Sequence, residues 1–537
     1  MIKFSSWKTI FFVCVFCAVA VIGAPAQTAS TGLAQGGAGP RPDVEMIFPP
    51  SPIFTTLFSL GGAAGGTPLA GLVQGADGNL YGTAEFEGAI GGSANGGTVF
   101  EITTAGVFTT LHSFGALGDG DNPDAGLVLG TDGNFYGTTS AGGANCGIYI
   151  VCGMVFKITP TGTLTTLYSF CPKPNCASGA NPTGNLVQAT DNNFYGTTAG
   201  GGANNAGTVM KISTKGTPET TTLTTLYSFC AQTDCADGAD SNTGVVQGID
   251  GSFYGTTYAG GAYGNGTVFK VTPKGRLTTL YSFCPESNCT DGSSPFGPLV
   301  QATEGDFYGM TSGEGAYGYG TVFKITSQGR LTTLYGFCAQ ADCADGSYPS
   351  SLIQATDDNF YGTTSEGGAY GYGTVFMMTP TGVLTTLYSF CQQSGCPDGA
   401  NPVALLQYTD GAFYGTALAG GSGNCWGDID GATAAGCGTV FSLDVGLGPF
   451  VKTLPTSGWP GKAVIILGNN LTGATGVSFN GTAATFTVVS DTEIETTVPC
   501  GATTGIVQVT TPSGTLESNV PFRVIPLWAR CVLPRSQ

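Results

Sequence analysis

The amino-acid sequence predicts an all-β protein: a seven-bladed β-propeller closed by an N-terminal strand and followed by a small β-sandwich. A segment similar to Leu-Thr-Thr-Leu-Tyr-Ser-Phe recurs every 53 to 59 residues, and self-similarity at a nearly fixed period indicates a repeat architecture. Three more short apolar runs lie between successive copies, each bounded by Gly, Asp, Asn or Pro, which is typical of strands. The repeat stops after Gly446, where a different pattern of apolar runs begins.

The composition of the 537-residue chain excludes several classes of protein. Apolar residues make up 41% of it, with 32 Phe and 21 Tyr, which is enough to build large cores. The net charge is −18, with only 17 Lys and Arg. We therefore expect no nucleic-acid partner, because phosphate binding needs clustered basic side chains. The single His leaves little room for Ser-His-Asp, Cys-His or multi-histidine zinc chemistry.

Residues 1–26 have the pattern of a signal peptide. Two lysines precede an apolar stretch from Ile10 to Ile22, and small residues allow cleavage after Ala26. The stretch is shorter than a typical membrane span, and no comparable stretch follows it. We therefore expect an exported monomer, secreted or held at the cell surface, with no transmembrane segment after cleavage. Residues 27–53 are expected to be a linker.

Each repeat supplies four predicted strands, because β-branched and aromatic residues favour strands. In chain order the runs resemble Leu-Val-Gln-Ala-Thr, Phe-Tyr-Gly-Thr-Thr, Gly-Thr-Val-Phe-Lys-Ile-Thr and Leu-Thr-Thr-Leu-Tyr-Ser-Phe. Tight turns join the first run to the second, as at Thr131 to Asn134, and the third to the fourth, as at Thr159 to Thr163. The other connections are long and Gly-rich. A repeated four-strand meander favours a propeller blade over a sandwich or a solenoid.

The number of copies of each run predicts how the propeller closes. The first and third runs each occur seven times. The fourth run begins at Phe54, Phe108, Leu164, Leu223, Leu277, Leu331 and Leu384. It therefore precedes the first blade and is missing from the last one. We predict that Phe54 to Leu60 supplies the outer strand of the blade built by Leu405 to Leu443, which leaves no open sheet edge, and we place the propeller at residues 54–446.

The repeat unit resembles a known family. Gly-Leu-Val-Gln at Gly71 to Gln74, the unit from Asp132 to Thr138 and the unit from Gly320 to Thr326 are similar to the GloVer repeats of bacterial proteins described as choice-of-anchor tandem repeat GloVer-containing proteins. The resemblance covers residues 54–443. It implies a secreted or surface-exposed protein, and it implies no particular activity.

Residues 447–525 are predicted to form a second domain. Six short apolar runs between Pro455 and Val524 alternate with Gly, Asn and Asp turns, which indicates a small sandwich. Gly-Asn-Asn-Leu at Gly468 to Leu471 and Val-Ser-Phe-Asn-Gly at Val477 to Gly481 resemble the IPT/TIG immunoglobulin-like family. That resemblance implies an immunoglobulin-like β-sandwich that serves as a spacer or adhesive unit. Residues 526–537 form a C-terminal tail that the pattern does not explain.

The cysteines pair by position. Five pairs have four intervening residues at one place in the repeat, and three more pairs complete the set. The predicted disulfides are Cys146–Cys152, Cys171–Cys176, Cys230–Cys235, Cys284–Cys289, Cys338–Cys343, Cys391–Cys396, Cys425–Cys437 and Cys500–Cys531. Disulfides fit an oxidising, extracellular compartment. Zinc is the weaker alternative, because its four thiolates would have to come from different blades.

In a four-strand meander the tight turns lie on one face, here called the turn face, and the long loops lie on the opposite loop face. The loop face carries the repeat disulfides and nearly all the variation in length, and binding residues prefer variable loops on a rigid scaffold. Exposed aromatic rings on Gly-rich loops stack on sugars or anchor protein partners. The candidate ligand-binding residues are Tyr263, Tyr317, Tyr319, Tyr370, Tyr372 and Trp426. The alternative is that these rings pack between adjacent blades.

Loop-face carboxylates form a second set of candidates. Paired carboxylates hydrolyse glycosides in many enzymes, but an Asx-type turn explains better why the same Asp-Gly step recurs in blade after blade. Those steps are at Asp237, Asp291, Asp345 and Asp398. Asp119, Asp121 and Asp124 could bind calcium, and no other cofactor is expected. His112 replaces the Tyr of the fourth run, most simply as a strand substitution.

These patterns favour a secreted or cell-surface binding or adhesion protein that presents its loop face to a glycan or protein ligand. The alternative is a secreted glycan-active hydrolase or lyase, because propellers host such enzymes. The insertion between Cys425 and Cys437, with Asp428 and Asp430, comes nearest to a unique acidic site. It does not by itself make a catalytic site, so the sequence favours binding over catalysis.

Overall fold

The structure is a computed structural model that describes residues 51–86, 96–116, 118–144, 146, 152–172, 176–214, 221–423 and 436–526. The predicted signal peptide, most of the predicted linker and the tail after residue 526 lie outside these ranges. The described residues form strands, turns and three short 3-10 turns, at Gly62–Ala64, Thr233–Cys235 and Ala341–Cys343. None of their helical turns is long and apolar enough to cross a membrane.

Seven four-stranded antiparallel sheets follow one another along the chain, and each sheet is one blade. Blade 1 comprises β2 (Val73–Gln74), β3 (Leu80–Ala84), β4 (Thr98–Ile102) and β5 (Phe108–Ser113), and blade 2 comprises β6 (Val128–Leu129), β7 (Phe135–Thr139), β8 (Met154–Ile158) and β9 (Leu164–Ser169). Blade 3 comprises β10 (Val187–Gln188), β11 (Phe194–Thr198), β12 (Thr208–Ser213) and β13 (Thr222–Ser228), and blade 4 comprises β14 (Val245–Gln247), β15 (Phe253–Thr257), β16 (Thr267–Val271) and β17 (Leu277–Ser282). Blade 5 comprises β18 (Ser293–Gln301), β19 (Phe307–Gly313), β20 (Thr321–Ile325) and β21 (Leu331–Gly336), and blade 6 comprises β22 (Ser347–Gln354), β23 (Phe360–Glu366), β24 (Thr374–Met378) and β25 (Leu384–Ser389).

The N-terminal strand completes the seventh blade, as the sequence predicts. Strand β1 (Ile53–Ser59) pairs antiparallel with β28 (Thr439–Asp444), which continues through β27 (Phe413–Ala419) to β26 (Ala400–Gln407). Phe54 of β1 stacks on Tyr388 of blade 6, with ring centroids 3.9 Å apart. Blade 7 also contacts blade 1, because the Thr416 hydroxyl donates to the Ala70 carbonyl at 2.9 Å.

The Phe-Tyr-Gly pattern of the second strand follows from packing within the blade. In blade 1 a Cβ atom added to Gly82 would lie 2.5 Å from the Phe100 ring on the neighbouring strand. Only Gly leaves room for that ring, so the spacing recurs with the blade. The tyrosine joins neighbouring blades, since its ring stacks on the next blade's Phe at 4.0 Å in the pair Tyr81 and Phe135.

A glutamine at the end of six of the seven first strands forms a second link between blades. The Gln188 Oε1 atom accepts the backbone N–H of Thr131 in the preceding blade at 2.8 Å. The same bond recurs at Gln247, Gln301, Gln354 and Gln407. The Gln74 amide instead donates to the Thr409 hydroxyl of blade 7 at 2.8 Å. Blade 2 alone breaks the series, because Leu129 stands at the glutamine position.

The C-terminal domain is a sandwich of two four-stranded sheets with orders β29-β31-β35-β34 and β33-β32-β36-β37, plus a parallel pair of β30 and β38. Its strands are β29 (Lys452–Leu454), β30 (Ser457–Gly458), β31 (Ala463–Leu467), β32 (Gly476–Phe479), β33 (Thr482–Ala484), β34 (Phe486–Val488), β35 (Glu493–Thr497), β36 (Val507–Thr511), β37 (Gly514–Glu517) and β38 (Arg523–Val524). Val464, Ile466, Phe479, Val507 and Phe522 are among the buried side chains that form its core.

The C-terminal domain packs on the turn face of the propeller. Leu467 is buried in one cluster with Leu129, at the position where the glutamine series is broken. The Thr492 hydroxyl donates to the Ala76 carbonyl of blade 1 at 2.7 Å, and the Lys462 ammonium donates to Asn192 of blade 3 at 2.7 Å. Leu129 thus contributes to the apolar part of this contact, and the loop face lies on the opposite side of the propeller.

Candidate functional site: the loop face

Disulfides hold the long loops of the loop face. Six are present among the described residues, with Cα–Cα distances from 4.0 to 5.8 Å. They join Cys146–Cys152, Cys171–Cys176, Cys230–Cys235, Cys284–Cys289, Cys338–Cys343 and Cys391–Cys396. Cys437 and Cys500 are also disulfide-bonded, and their predicted partners, Cys425 and Cys531, lie outside the described residues.

The Asp of the repeated Asp-Gly step braces the disulfide loop. Asp345 is fully buried, and its carboxylate accepts the Tyr335 hydroxyl at 2.7 Å and the backbone N–H groups of Ala339 and Gln340 at 3.0 and 3.1 Å. Asp237 accepts the equivalent three bonds. Because these acceptors are used inside the loop, the structure favours the turn interpretation over a catalytic one for these carboxylates.

The loop that follows blade 1 has no disulfide at this position, and His112 takes part in a similar brace. The His112 ring lies 3.3 Å from the Asp119 carboxylate, which also accepts the Gly115 N–H at 3.3 Å. His112 thus occupies the place of the strand tyrosine and meets an aspartate as that tyrosine does.

The candidate tyrosines divide into two groups. Tyr263, Tyr317 and Tyr370 occupy equivalent positions in blades 4, 5 and 6 and are 53%, 53% and 50% exposed. We call these three side chains the rim tyrosines. Tyr319 instead lies edge to face with Tyr348 of the next blade, with ring centroids 5.6 Å apart. Tyr319 is nevertheless 36% exposed, so packing between blades involves only one edge of its ring. Tyr372 is half-buried and packs against Cys396, Ala400 and Ala419. Trp426 lies outside the described residues.

A ring of variable residues surrounds the central axis on the loop face. First strands of neighbouring blades contact one another around this axis. Near the start of each first strand lies a residue with a φ between 52° and 59°, namely Thr67, Asn122, Asn181, Asp240, Ser294, Tyr348 and Asn401. Pro or Ser follows it, and the next residue differs in every blade. This ring consists of Leu69, Asp124, Thr183, Asn242, Phe296, Ser350 and Val403.

Five residues of the ring line a cavity of about 580 Å³, here called the central cavity. They are Leu69, Asp124, Thr183, Asn242 and Phe296. Asn181, Ala199, Gly200, Asp240 and Tyr258 complete the lining. Leu69, Phe296 and Tyr258 are 37%, 42% and 37% exposed. The cavity thus combines apolar and aromatic walls with a few polar groups, which is typical of small-molecule sites.

The polar groups of the central cavity are acidic or neutral. Burial raises the pKa of Asp124 to about 6, and burial also raises the pKa of Asp240. The buried Oδ1 atoms of Asp124 and Asn242 have no hydrogen-bond partner. Among the described residues that line the cavity there is no Lys, Arg or His. The cavity therefore offers acceptors that lack donors.

The predicted calcium ligands are not brought together as a metal site. Within the described ranges no three His, Cys, Asp or Glu side chains are grouped so that they could hold a metal ion. Asp119 faces His112, the backbone of Asp121 bridges to Ala141, and Asp124 lines the central cavity. Asp124 is close to Asp119 and Asp121 in the sequence, but in the fold it lines the central cavity.

Comparison with known proteins identifies the repeat. A sequence model of the Gloeobacter/Verrucomicrobia repeat matches residues 34–175, 147–344 and 337–458. The chain belongs to this repeat family. A model of the IPT/TIG domain matches residues 450–524, so we call the C-terminal sandwich the TIG domain. Both findings confirm the resemblances that the motifs indicated. No curated protein sequence matches the chain.

Three solved structures are similar to the chain at low sequence identity. A luciferin-regenerating enzyme is 10% identical with a TM-score of 0.38, over 62% of this chain and 93% of that one. The extracellular domain of a putative hybrid two-component system from B. thetaiotaomicron is 11% identical with a TM-score of 0.46, over 88% of this chain and 54% of that one. A PQQ-bound aldose sugar dehydrogenase from Streptomyces coelicolor is 12% identical with a TM-score of 0.35, over 74% and 99%. No activity follows from these likenesses.

Proposed function

We propose that this protein is exported, remains in the extracellular space or at the cell surface, and binds a glycan on its loop face. The six disulfides support an oxidising compartment, and the pattern of residues 1–26 supports export. The acidic chain, with its net charge of −18, suits solubility outside the cell.

The rim tyrosines carry this proposal. Three blades in succession place a tyrosine at one position and leave half of its surface in water. Tyrosine buries a large rigid area on binding and loses little conformational entropy when it does so. A set of equivalent rings repeated from blade to blade suits a ligand that is itself repetitive, such as a polysaccharide. Each ring would stack on one sugar of the polymer.

The two faces of the propeller differ in what they leave free. The TIG domain packs on the turn face, where Thr492 contacts blade 1 and Lys462 contacts blade 3. The loop face retains the rim tyrosines and the central cavity. Its loops are held by disulfides and by buried carboxylates such as Asp345. Preorganised loops lose less entropy when a ligand binds.

A glycan-active hydrolase or lyase is the second candidate, and one observation favours it. The pKa of Asp124, raised by burial to about 6, allows a carboxyl group to act as a general acid near neutral pH. Asp240 lines the same cavity. Binding is the better supported function because Asp237 and Asp345 are engaged inside their own loops. The acids that line the central cavity are Asp124 and Asp240.

A glycan-array screen of the exported chain tests the proposal. The test variant replaces Tyr263, Tyr317 and Tyr370 by Ala, and the control is Val383→Ala, an exposed apolar side chain on the turn face. We expect binding by the wild type and the control and loss of binding by the triple variant. Absence of binding to any glycan, or equal binding by the triple variant, would overturn the proposal.

Incubating the bound polysaccharide with the protein separates binding from catalysis. The proposal predicts an unchanged polymer length by size-exclusion chromatography. Shortening of the polymer by the wild type, abolished by Asp124→Asn, would establish the second candidate instead.

A further inference from the structure

The central cavity has a chemistry that the rim tyrosines do not share. Its lining includes the carboxyl group of Asp124 and the amide group of Asn242, and the Oδ1 atom of each side chain is buried without a hydrogen-bond partner. A buried acceptor without a donor costs free energy in the folded state. A ligand that offers donors to these two side chains would lower that cost, so the acceptors of the lining indicate the donors of the ligand.

The charge of the lining limits which charge the ligand can carry. Asp124 and Asp240 are acidic, and the described lining contains no basic side chain. An anionic ligand, such as a uronic acid, would be repelled and would find no cation to pair with. A cationic donor near Asp124 would instead neutralise a carboxylate that burial disfavours. In an extracellular sugar or peptide, an ammonium group is the donor that meets this requirement.

The apolar walls of the central cavity indicate that the ligand contains a ring. Leu69, Tyr258 and Phe296 keep more than a third of their surface exposed at the cavity. Aromatic rings attract the C–H faces of sugars and also attract cations. The volume of about 580 Å³ is within the range of small-molecule sites. The TIG domain contacts the opposite face of the propeller, so the ligand enters from the loop face.

We infer that the central cavity binds an amino sugar, with its ammonium group on Asp124, its hydroxyl groups on Asn242 and its ring against Phe296 and Tyr258. This site is separate from the rim tyrosines, which lie beside outer strands. In blade 5, for example, Tyr317 lies next to Gly336 at the end of β21. The two sites can therefore be tested with different variants.

Isothermal titration calorimetry of the exported chain with glucosamine, glucose and N-acetylglucosamine at neutral pH tests the inference. We expect glucosamine to bind about tenfold or more tightly than the other two sugars, because they lack the ammonium group. Asp124→Asn should remove this preference. The control Asp342→Asn removes an exposed carboxylate of the same face, at a residue whose φ of 55° suits Asn, and should keep the preference.

Three outcomes would overturn the inference. They are no binding of glucosamine at millimolar concentration, equal affinity for the three sugars, and an unchanged preference in Asp124→Asn. Glucosamine binding that is lost in Tyr317→Ala but kept in Asp124→Asn would also overturn it, because the sugar would then sit on the rim. Circular dichroism of each variant shows whether the fold is retained, and Asn242→Ala supplies a second variant that reduces glucosamine affinity without changing charge.

Discussion

Replacing Asp124 by Asn should stabilise the protein at neutral pH and leave its stability unchanged in acid. The carboxyl group is buried, and its pKa rises from 3.8 to about 6 in the folded state. The folded state therefore binds this proton more tightly than the unfolded state does. Above both pKa values the charged carboxylate lowers the free energy of unfolding, and below about pH 4 this penalty vanishes because both states are protonated.

The rise is about two pKa units, and each unit corresponds to ~1.4 kcal/mol, so the penalty at neutral pH is ~3 kcal/mol. Asn has nearly the same shape and carries no charge, so Asp124→Asn should recover most of this free energy. In a chain of this length ~3 kcal/mol corresponds to an increase in Tm of a few degrees. A buried carboxyl group that destabilises the fold in this way is a candidate for a functional site.

Differential scanning calorimetry at about pH 7.5 and about pH 4 measures the effect. The exposed Asp342→Asn is the matched control and should not change the Tm at either pH. A lower Tm of Asp124→Asn at neutral pH would refute the reasoning, since it would mean that a partner stabilises the carboxylate. An equal increase at both pH values would refute it as well, because the gain would not come from charge.

Three further changes test other parts of the structure. Asp345→Ala leaves two loop N–H groups and the Tyr335 hydroxyl without their acceptor and should lower the free energy of unfolding by ~2–4 kcal/mol, measured by calorimetry; an unchanged Tm would contradict the brace. Phe54→Ala removes the ring that stacks on Tyr388 and should cost ~3 kcal/mol, so limited proteolysis should cut the N-terminal strand sooner than in the wild type, and equal resistance would contradict its role. Burial lowers the pKa of Lys452 from 10.5 to about 7, so the charged ammonium group destabilises the fold most at pH values below 7, and this penalty falls as the pH rises. Lys452→Met should therefore raise the Tm more at about pH 6 than at about pH 9. Equal increases in Tm at the two pH values would contradict this expectation.

Much of the propeller could be predicted because its physical causes repeat. The Phe100 ring needs Gly82 beneath it, and the same requirement recurs in six of the seven blades, with Met210 in place of the Phe in blade 3, so the motif recurs in the sequence. The missing fourth run after Phe441 directly implied the pairing of β1 with β28. The cysteine spacing likewise predicted the repeat disulfides, because two cysteines with four residues between them lie close together in a short loop.

The docking of the TIG domain could not be predicted, because its contacts join residues far apart in the sequence, such as Thr492 with Ala76 and Lys462 with Asn192. Leu129 in place of Gln looks like an ordinary variation of an apolar run. Only the structure places Leu467 against it. The central cavity could not be predicted for a related reason, since its lining comes from five blades and its residues look like parts of separate loops.

A signal for the central cavity was nevertheless present in the sequence. When the repeats are aligned, each copy has a Pro or Ser near the start of the first strand. The residue that follows it is different in all seven copies. A position that varies within a uniform repeat is a candidate for specificity. The sequence instead singled out Asp124 as part of a calcium run, whereas the fold directs it towards the central axis.

Hydroxyl-radical footprinting of the protein with and without its bound glycan tests the central claim most directly, because it reports which face the ligand covers. We expect reduced oxidation of Tyr263, Tyr317 and Tyr370, with no change at Ile249 and Val383, which are 59% and 62% exposed on the turn face. Protection confined to Ile249, Val383 or the TIG domain, with the rim tyrosines oxidised as in the free protein, would contradict it.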